Sequence, residues 1–142
     1  MQQGLVPSER IKEKIFLVRG KRVMFDFDLA VLYGVETKQL KRAVKRNIAR
    51  FLEDFMIELT LEELENLRCQ FGTSSWGGVR YRPFAFTEQG VAMLSTVLNS
   101  ERAIQVNIAI MRAFVKLREM LSTHRELAFQ FKELERKVDK HD

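Results

Sequence analysis

Five cations recur within nine residues of this chain, at Lys38, Lys41, Arg42, Lys45 and Arg46. On a helix, Lys38, Lys41, Arg42 and Lys45 fall on one side. Leu40, Val44, Ile48 and Phe51, spaced i, i+4, i+8 and i+11, form an apolar stripe on the other. A row of permanent cations does polyanion chemistry: it neutralises phosphates and displaces their counterions, and an arginine fork also matches O6 and N7 of guanine. Thr37, Lys38, Lys41, Arg42, Lys45 and Arg46 are therefore the candidate DNA-binding residues, with Glu36 at the helix start. Side chains at the amino end of such a helix reach base edges and later ones meet phosphate. Arg42 suits a bidentate guanine contact, and Lys41 and Lys45 suit phosphate. The plain alternative is a solvated basic face.

Other chemistry is sparse. Cys69 is the only cysteine and reads as a small buried hydrophobe. His124 and His141 stand too far apart for a ligand pair. Asp26, Asp28, Glu53 and Asp54 could in principle hold Mg²⁺ for a nuclease, but capping and surface roles account for them more simply. No catalytic residue, metal or cofactor is expected, and the chain does not read as an enzyme.

With 142 residues, 46% hydrophobic and 30% charged, the chain can bury a real core, and its eleven Phe suggest what that core is built on. Phe51, Phe55, Phe84, Phe86 and Phe114 are the core candidates. The net charge of +5 is concentrated: six basic residues and one acidic lie between Glu36 and Arg50, whereas six of each cancel from Arg118 onward. No apolar run is long enough to span a membrane and the N-terminus is no signal peptide, so a cytoplasmic, nucleoid-associated protein is expected.

The elements that must position the cations can be read on either side of them. Residues 1–10 look like a flexible leader, 11–98 like one domain, and 99–142 like a long helix. Ile15–Val18 and Val23–Phe25 flank Arg19-Gly20-Lys21-Arg22, a hairpin with a basic turn. Asp26 or Asp28 can cap a first helix, with Leu29, Tyr33, Val35 and Leu40 facing inward. Ala30 and Gly34 allow that helix and the next, Thr37–Phe51, to cross closely around a turn. Phe55, Ile57 and Leu59 alternate as in a strand, and Thr60 with Glu63 forms a capping box for a helix to about Arg68. Val79–Phe86 is extended, with Pro83 confining the strand to an edge or to its start. Thr87 caps a helix to about Leu98, and Asn99-Ser100 breaks it. The loop Thr73–Gly78 with Arg80, Tyr81 and Arg82 suggests a DNA-binding wing, Ser75, Trp76, Arg80 and Arg82 being its candidates; alternatively Trp76 packs over the domain edge.

In the last helix a heptad seam runs through Leu117, Met120, His124, Leu127, Phe131, Leu134 and Val138, and back through Ala113, Ile110, Val106 and Ala103. That helix should pack on the domain first and then pair with a partner, most simply in a homodimer. His124 is the odd member, and the absence of a terminal cap suggests a truncated chain.

Several runs resemble the KilA-N superfamily, in particular its "ORF-six-N" branch of phage antirepressor-like and bacterial proteins. They are Arg19-Gly-Lys-Arg-Val-Met, Asp28-Leu-Ala-Val-Leu-Tyr-Gly-Val-Glu-Thr-Lys, Val44-Lys-Arg-Asn-Ile, Glu53-Asp-Phe-Met and Ala85-Phe-Thr-Glu-Gln-Gly-Val-Ala-Met-Leu. The resemblance extends over roughly residues 11–118. It implies a small α+β domain that binds double-stranded DNA and serves phage or mobile-element transcription regulation. Leu52, where the family pattern has Pro, and Arg82, where it has an apolar residue, depart from it, and the family usually carries more sequence after the long helix. The expectation is thus an α+β, helix-turn-helix-containing, sequence-selective DNA-binding protein, dimeric through its last helix, with a regulatory protein partner possible and no membrane. The rivals are a protein–protein interaction module acting through that helix and a metal-dependent nuclease.

Overall fold

The computed structural model describes residues 8–71 and 82–140, and side chains from 10 to 68 and from 82 to 136. Its elements are α1 (Ser8–Lys12), β1 (Phe16–Val18), β2 (Lys21–Phe25), α2 (Asp26–Tyr33), α3 (Thr37–Arg46), a 3-10 turn (Ile48–Arg50), β3 (Met56–Glu58), α4 (Leu61–Phe71), β4 (Phe84–Phe86), α5 (Glu88–Leu98) and α6 (Glu101–Lys140). The class is α+β, as the sequence predicts. Ser8–Arg10, assigned above to the leader, belong to α1, whose Ile11 is buried.

The four strands form one antiparallel sheet in the order β1-β2-β4-β3. The β1–β2 turn is two residues, Arg19 (φ 52°) and Gly20 (φ 76°), both left-handed as a type I′ hairpin demands. An Arg in that region is strained, and a tertiary contact holds it. Its guanidinium donates two 2.7 Å hydrogen bonds to Glu63. Glu63 in turn closes the capping box of α4: Thr60 N–H donates to its carboxylate (2.9 Å), and Glu63 N–H donates to Thr60 Oγ1 (3.1 Å). Hydrogen bonding from Arg19 holds the Glu63 carboxyl down to about 2.

Successive strand side chains point to opposite faces, and here both faces are buried. Met24, Phe84 and Phe86 join Leu29, Leu40, Val44, Leu94, Ile110 and Phe114 in the core shared with α2, α3, α5 and α6. Val23, Phe25, Ile57 and Ala85 face the other way, onto Leu64 and Leu67 of α4. An inner strand between β2 and β3, β4 is buried throughout, in keeping with the continuous apolar run Phe84-Ala85-Phe86. Pro83 sits just before it and its missing donor breaks no ladder bond. Of the core candidates Phe51, Phe84, Phe86 and Phe114 are buried, and Phe55 is half-buried.

Thr87 caps α5, accepting from Gly90 N–H (3.3 Å) and donating to Asp54 O (2.7 Å). Asn99, left-handed at φ 46°, ends that helix. The 40-residue α6 then extends about 60 Å at 1.5 Å per residue. Its first half buries Ala103, Val106, Ile110, Ala113 and Phe114 in the main core. From 122 to 136 every side chain but Glu133 is exposed. No described helix is long and apolar enough to cross a membrane.

Candidate nucleic-acid interface

The cationic helix α3 is mounted on α2 through a three-residue turn. Gly34 ends α2 in the left-handed region (φ 72°, ψ 32°), and Val35 N–H returns to Ala30 O at 3.0 Å. Arg102 of α6 donates from Nε to Leu32 O (3.0 Å), satisfying another carbonyl at the same helix end. Buried Tyr33 hydrogen-bonds Ser95 Oγ (3.1 Å), which donates to Ala103 O (3.3 Å), so α2, α5 and α6 meet there. Burial pushes the Tyr33 phenol up to about 12. Leu29, Tyr33 and Leu40 face inward as expected, Ala30 is buried beside them, and Val35 is half-buried.

At the start of α3, Gln39 Oε1 accepts from Glu36 N–H at 3.1 Å. The helix ends earlier than Phe51. Asn47 (φ −123°) donates from its side chain to Ala43 O (2.9 Å), and the chain tightens into the 3-10 turn. That change of pitch turns Ile48 outward, 53% exposed, so the expected stripe is interrupted. Phe51 re-enters the core, its ring edge-on to Phe86 at 5.9 Å.

Lys41 also departs from expectation. Its ammonium lies 3.6 Å from the buried Asp26 carboxylate, donates to Arg82 O (3.0 Å) and sits 4.8 Å from the centre of the Phe84 ring. Asp26 is a bridge and not the helix cap: Phe25 holds the N-cap position, while Asp26 Oδ2 accepts from Phe84 N–H at 2.9 Å. Burial raises the Asp26 pKa, opposed by the Phe84 hydrogen bond and the Lys41 charge. Lys41 is thus a strut between α2, α3 and β4, already engaged within the molecule. Asp28 is half-buried 3.9 Å from Lys14, and burial pushes its carboxyl up to about 6.

Lys38, Arg42, Lys45 and Arg46 remain exposed, spanning an arc of about 100° at 3.6 residues per turn. Thr37 is half-buried at its edge, and exposed Arg50 extends the surface onto the 3-10 turn. Among the described residues none of these five cations makes an ion pair. Like charges at i, i+4 (Lys38–Arg42 and Arg42–Arg46) cost a helix roughly 0.2–0.5 kcal/mol each. In the expected wing, exposed Arg82 pairs with Glu58 at 3.3 Å, while Ser75, Trp76 and Arg80 lie outside the described residues, as does the side chain of Cys69. Arg19, part of the basic turn, is locked to Glu63.

The ORF6N domain model matches residues 13–97. The chain belongs to the ORF6N family. This is a KilA-N-like, antirepressor-associated domain, and the matched segment contains the whole α2–α3 unit but stops short of α6. Searches of curated proteins and of solved structures return no match. In this ORF6N chain Leu52, the departure from the family pattern, is exposed, and its carbonyl accepts from Phe55 N–H (2.8 Å) and Met56 N–H (3.0 Å), closing the turn without proline.

Sequence reasoning missed the Asp26–Lys41–Phe84 bridge. No local spacing signals it, because its partners are 15 to 58 residues apart and only the sheet brings them together. Among the described residues, no group of three or more His, Cys, Asp or Glu side chains is placed to hold a metal ion.

Proposed function

We propose that this ORF6N protein binds double-stranded DNA sequence-selectively, with α3 in the major groove, as a non-catalytic, antirepressor-like regulator of transcription. The observation carrying this reading is the exposed cluster Lys38, Arg42, Lys45 and Arg46, without ion pairs among the described residues, on a helix whose opposite side is anchored through Leu40 and Val44. A merely solvated helix would gain by interspersing acids among these cations, whereas phosphate repays their mutual repulsion. The α2–α3 unit supplies the helix-turn-helix, and the family association agrees with it. Arg42, central in the arc, reads a guanine; Lys45, Arg46 and Arg50 meet phosphate.

A fluorescence-anisotropy titration against salt tests the reading. With three phosphate contacts per chain, log affinity for a half-site falls against log salt with a slope of about −3. Arg42→Ala lowers affinity for the selected site about 10- to 100-fold and relaxes preference at one base pair. A flat salt dependence, or Lys38→Glu with Arg42→Glu binding like the parent, sinks it.

A further inference from the structure

Beyond the DNA reading, and independent of it, the structure assigns the distal half of α6 to a second copy of this chain, in a parallel two-stranded coiled coil. The seam divides where the body ends. Ala103, Val106, Ile110 and Ala113 are buried, Leu117 is half-buried, and Lys12 of α1 donates to Met120 Sδ at 3.5 Å. The same spacing continues as Leu127, Phe131 and Leu134, exposed at 56%, 62% and 59%. The side chain of Val138 lies outside the described residues. The dimer contact therefore starts near His124, later than the expected Leu117.

Three observations select a second copy. First, a seam alternating steps of three and four keeps its face only against a partner of the same 3.5-residue repeat, and α6 is itself such a helix. Second, the segment from Arg118 to Arg136 carries four basic and four acidic residues. All but Glu135 lie at positions away from the seam and its edges, where Leu121, Thr123, Ala128 and Gln130 stand instead. Like helices can thus meet without charge repulsion, and nothing there favours a polyanion. Third, a specific interface needs about 1,000 Å² in total, a size that the seam and its flanks paired from both copies can reach. The parallel, in-register sense sets Leu127, Phe131 and Leu134 each against its own copy, with Gln130 beside Glu135 across the edge.

Sedimentation equilibrium of the full chain across the micromolar range should show a reversible monomer–dimer mixture. Phe131→Glu with Leu134→Glu, both solvent-facing in the monomer, should leave the melting of the body unchanged and hold the chain monomeric. A parent chain monomeric throughout overturns the proposal, as does a larger oligomer. A dimer that survives the double substitution overturns it too, and would move the contact to the other exposed row, Ile104, Ile108 and Val115. Leu134→Cys should form an interchain disulfide on mild oxidation that the parent, with Cys69 alone, does not; failure to cross-link despite dimerisation overturns the parallel arrangement. Charge reversal at Lys38 and Arg42 should abolish DNA binding while leaving the dimer intact, so the two readings fail separately.

Discussion

Lys41 and Arg42 are neighbours of similar chemistry with opposite roles, and a single helical step separates them. Lys41 turns toward Asp26, buried at 1% exposure, and truncating it strands a carboxylate away from water. Lys41→Met should therefore lower unfolding free energy by about 3–5 kcal/mol in urea titrations, the scale for breaking a buried pair. Arg42→Ala should stay within about 0.5 kcal/mol of the parent, as for an exposed surface residue. Equal effects would contradict the assignment. Asp28 makes a second residue-scale prediction. Its carboxyl is raised to about 6 by burial, so the folded state holds that proton more tightly than the unfolded chain. Stability from this group is then highest below pH 4 and declines as pH rises from about 4 to about 6. Relative to the parent, Asp28→Asn should gain melting temperature at pH 7 and not at pH 4.

Helix placement depends on two glycines that act differently. Gly34 ends α2 at φ 72°, and a Cβ there would lie 3.1 Å from the flexible Arg102 side chain. Gly34→Ala should cost about 1 kcal/mol, mostly as left-handed backbone strain, tilting α3 little. At the first turn of α5, a Cβ on Gly90 would lie 1.8 Å from the Phe55 carbonyl oxygen, backbone against backbone. Gly90→Ala must displace α5 from the Phe55 backbone that leads into β3 and should cost several kcal/mol or prevent folding, as overpacking does at a rigid contact. Thermal melts of the two variants measure the difference, and a mild Gly90→Ala would mean that this helix seat is not the close contact described.

On the scale of the whole molecule, the proposed DNA face and the proposed self-association face occupy separate elements, α3 and the distal part of α6. Their coupling is geometric: a parallel coil places two α3 helices at the same end of the assembly, ready for a two-fold site. Phe131→Glu with Leu134→Glu should then weaken binding to a symmetric site and roughly halve the salt slope, because one set of phosphate contacts is lost. Binding to an isolated half-site should be unaffected. A parent and a double variant with identical salt slopes on the full site would separate dimerisation from DNA recognition.

Much of this was legible along the chain because it is local. Hairpin, the Thr60–Glu63 capping box, left-handed Gly34, the Leu40–Val44 stripe and the heptads of α6 are matters of spacing within a few residues, where backbone hydrogen bonding and side-chain periodicity act directly. The cationic character of α3 was equally legible, as charge needs no partner to be read. What the tertiary structure decided is which cations are spent inside. Asp26, Lys41, Phe84 and Arg82 come together only because β4 lies between β2 and β3 and α3 packs alongside. Burial in that low-dielectric setting makes an ion pair of two residues that read separately as a cap and a phosphate contact. The same long-range packing divided one heptad stripe into a half inside the core and a half facing solvent.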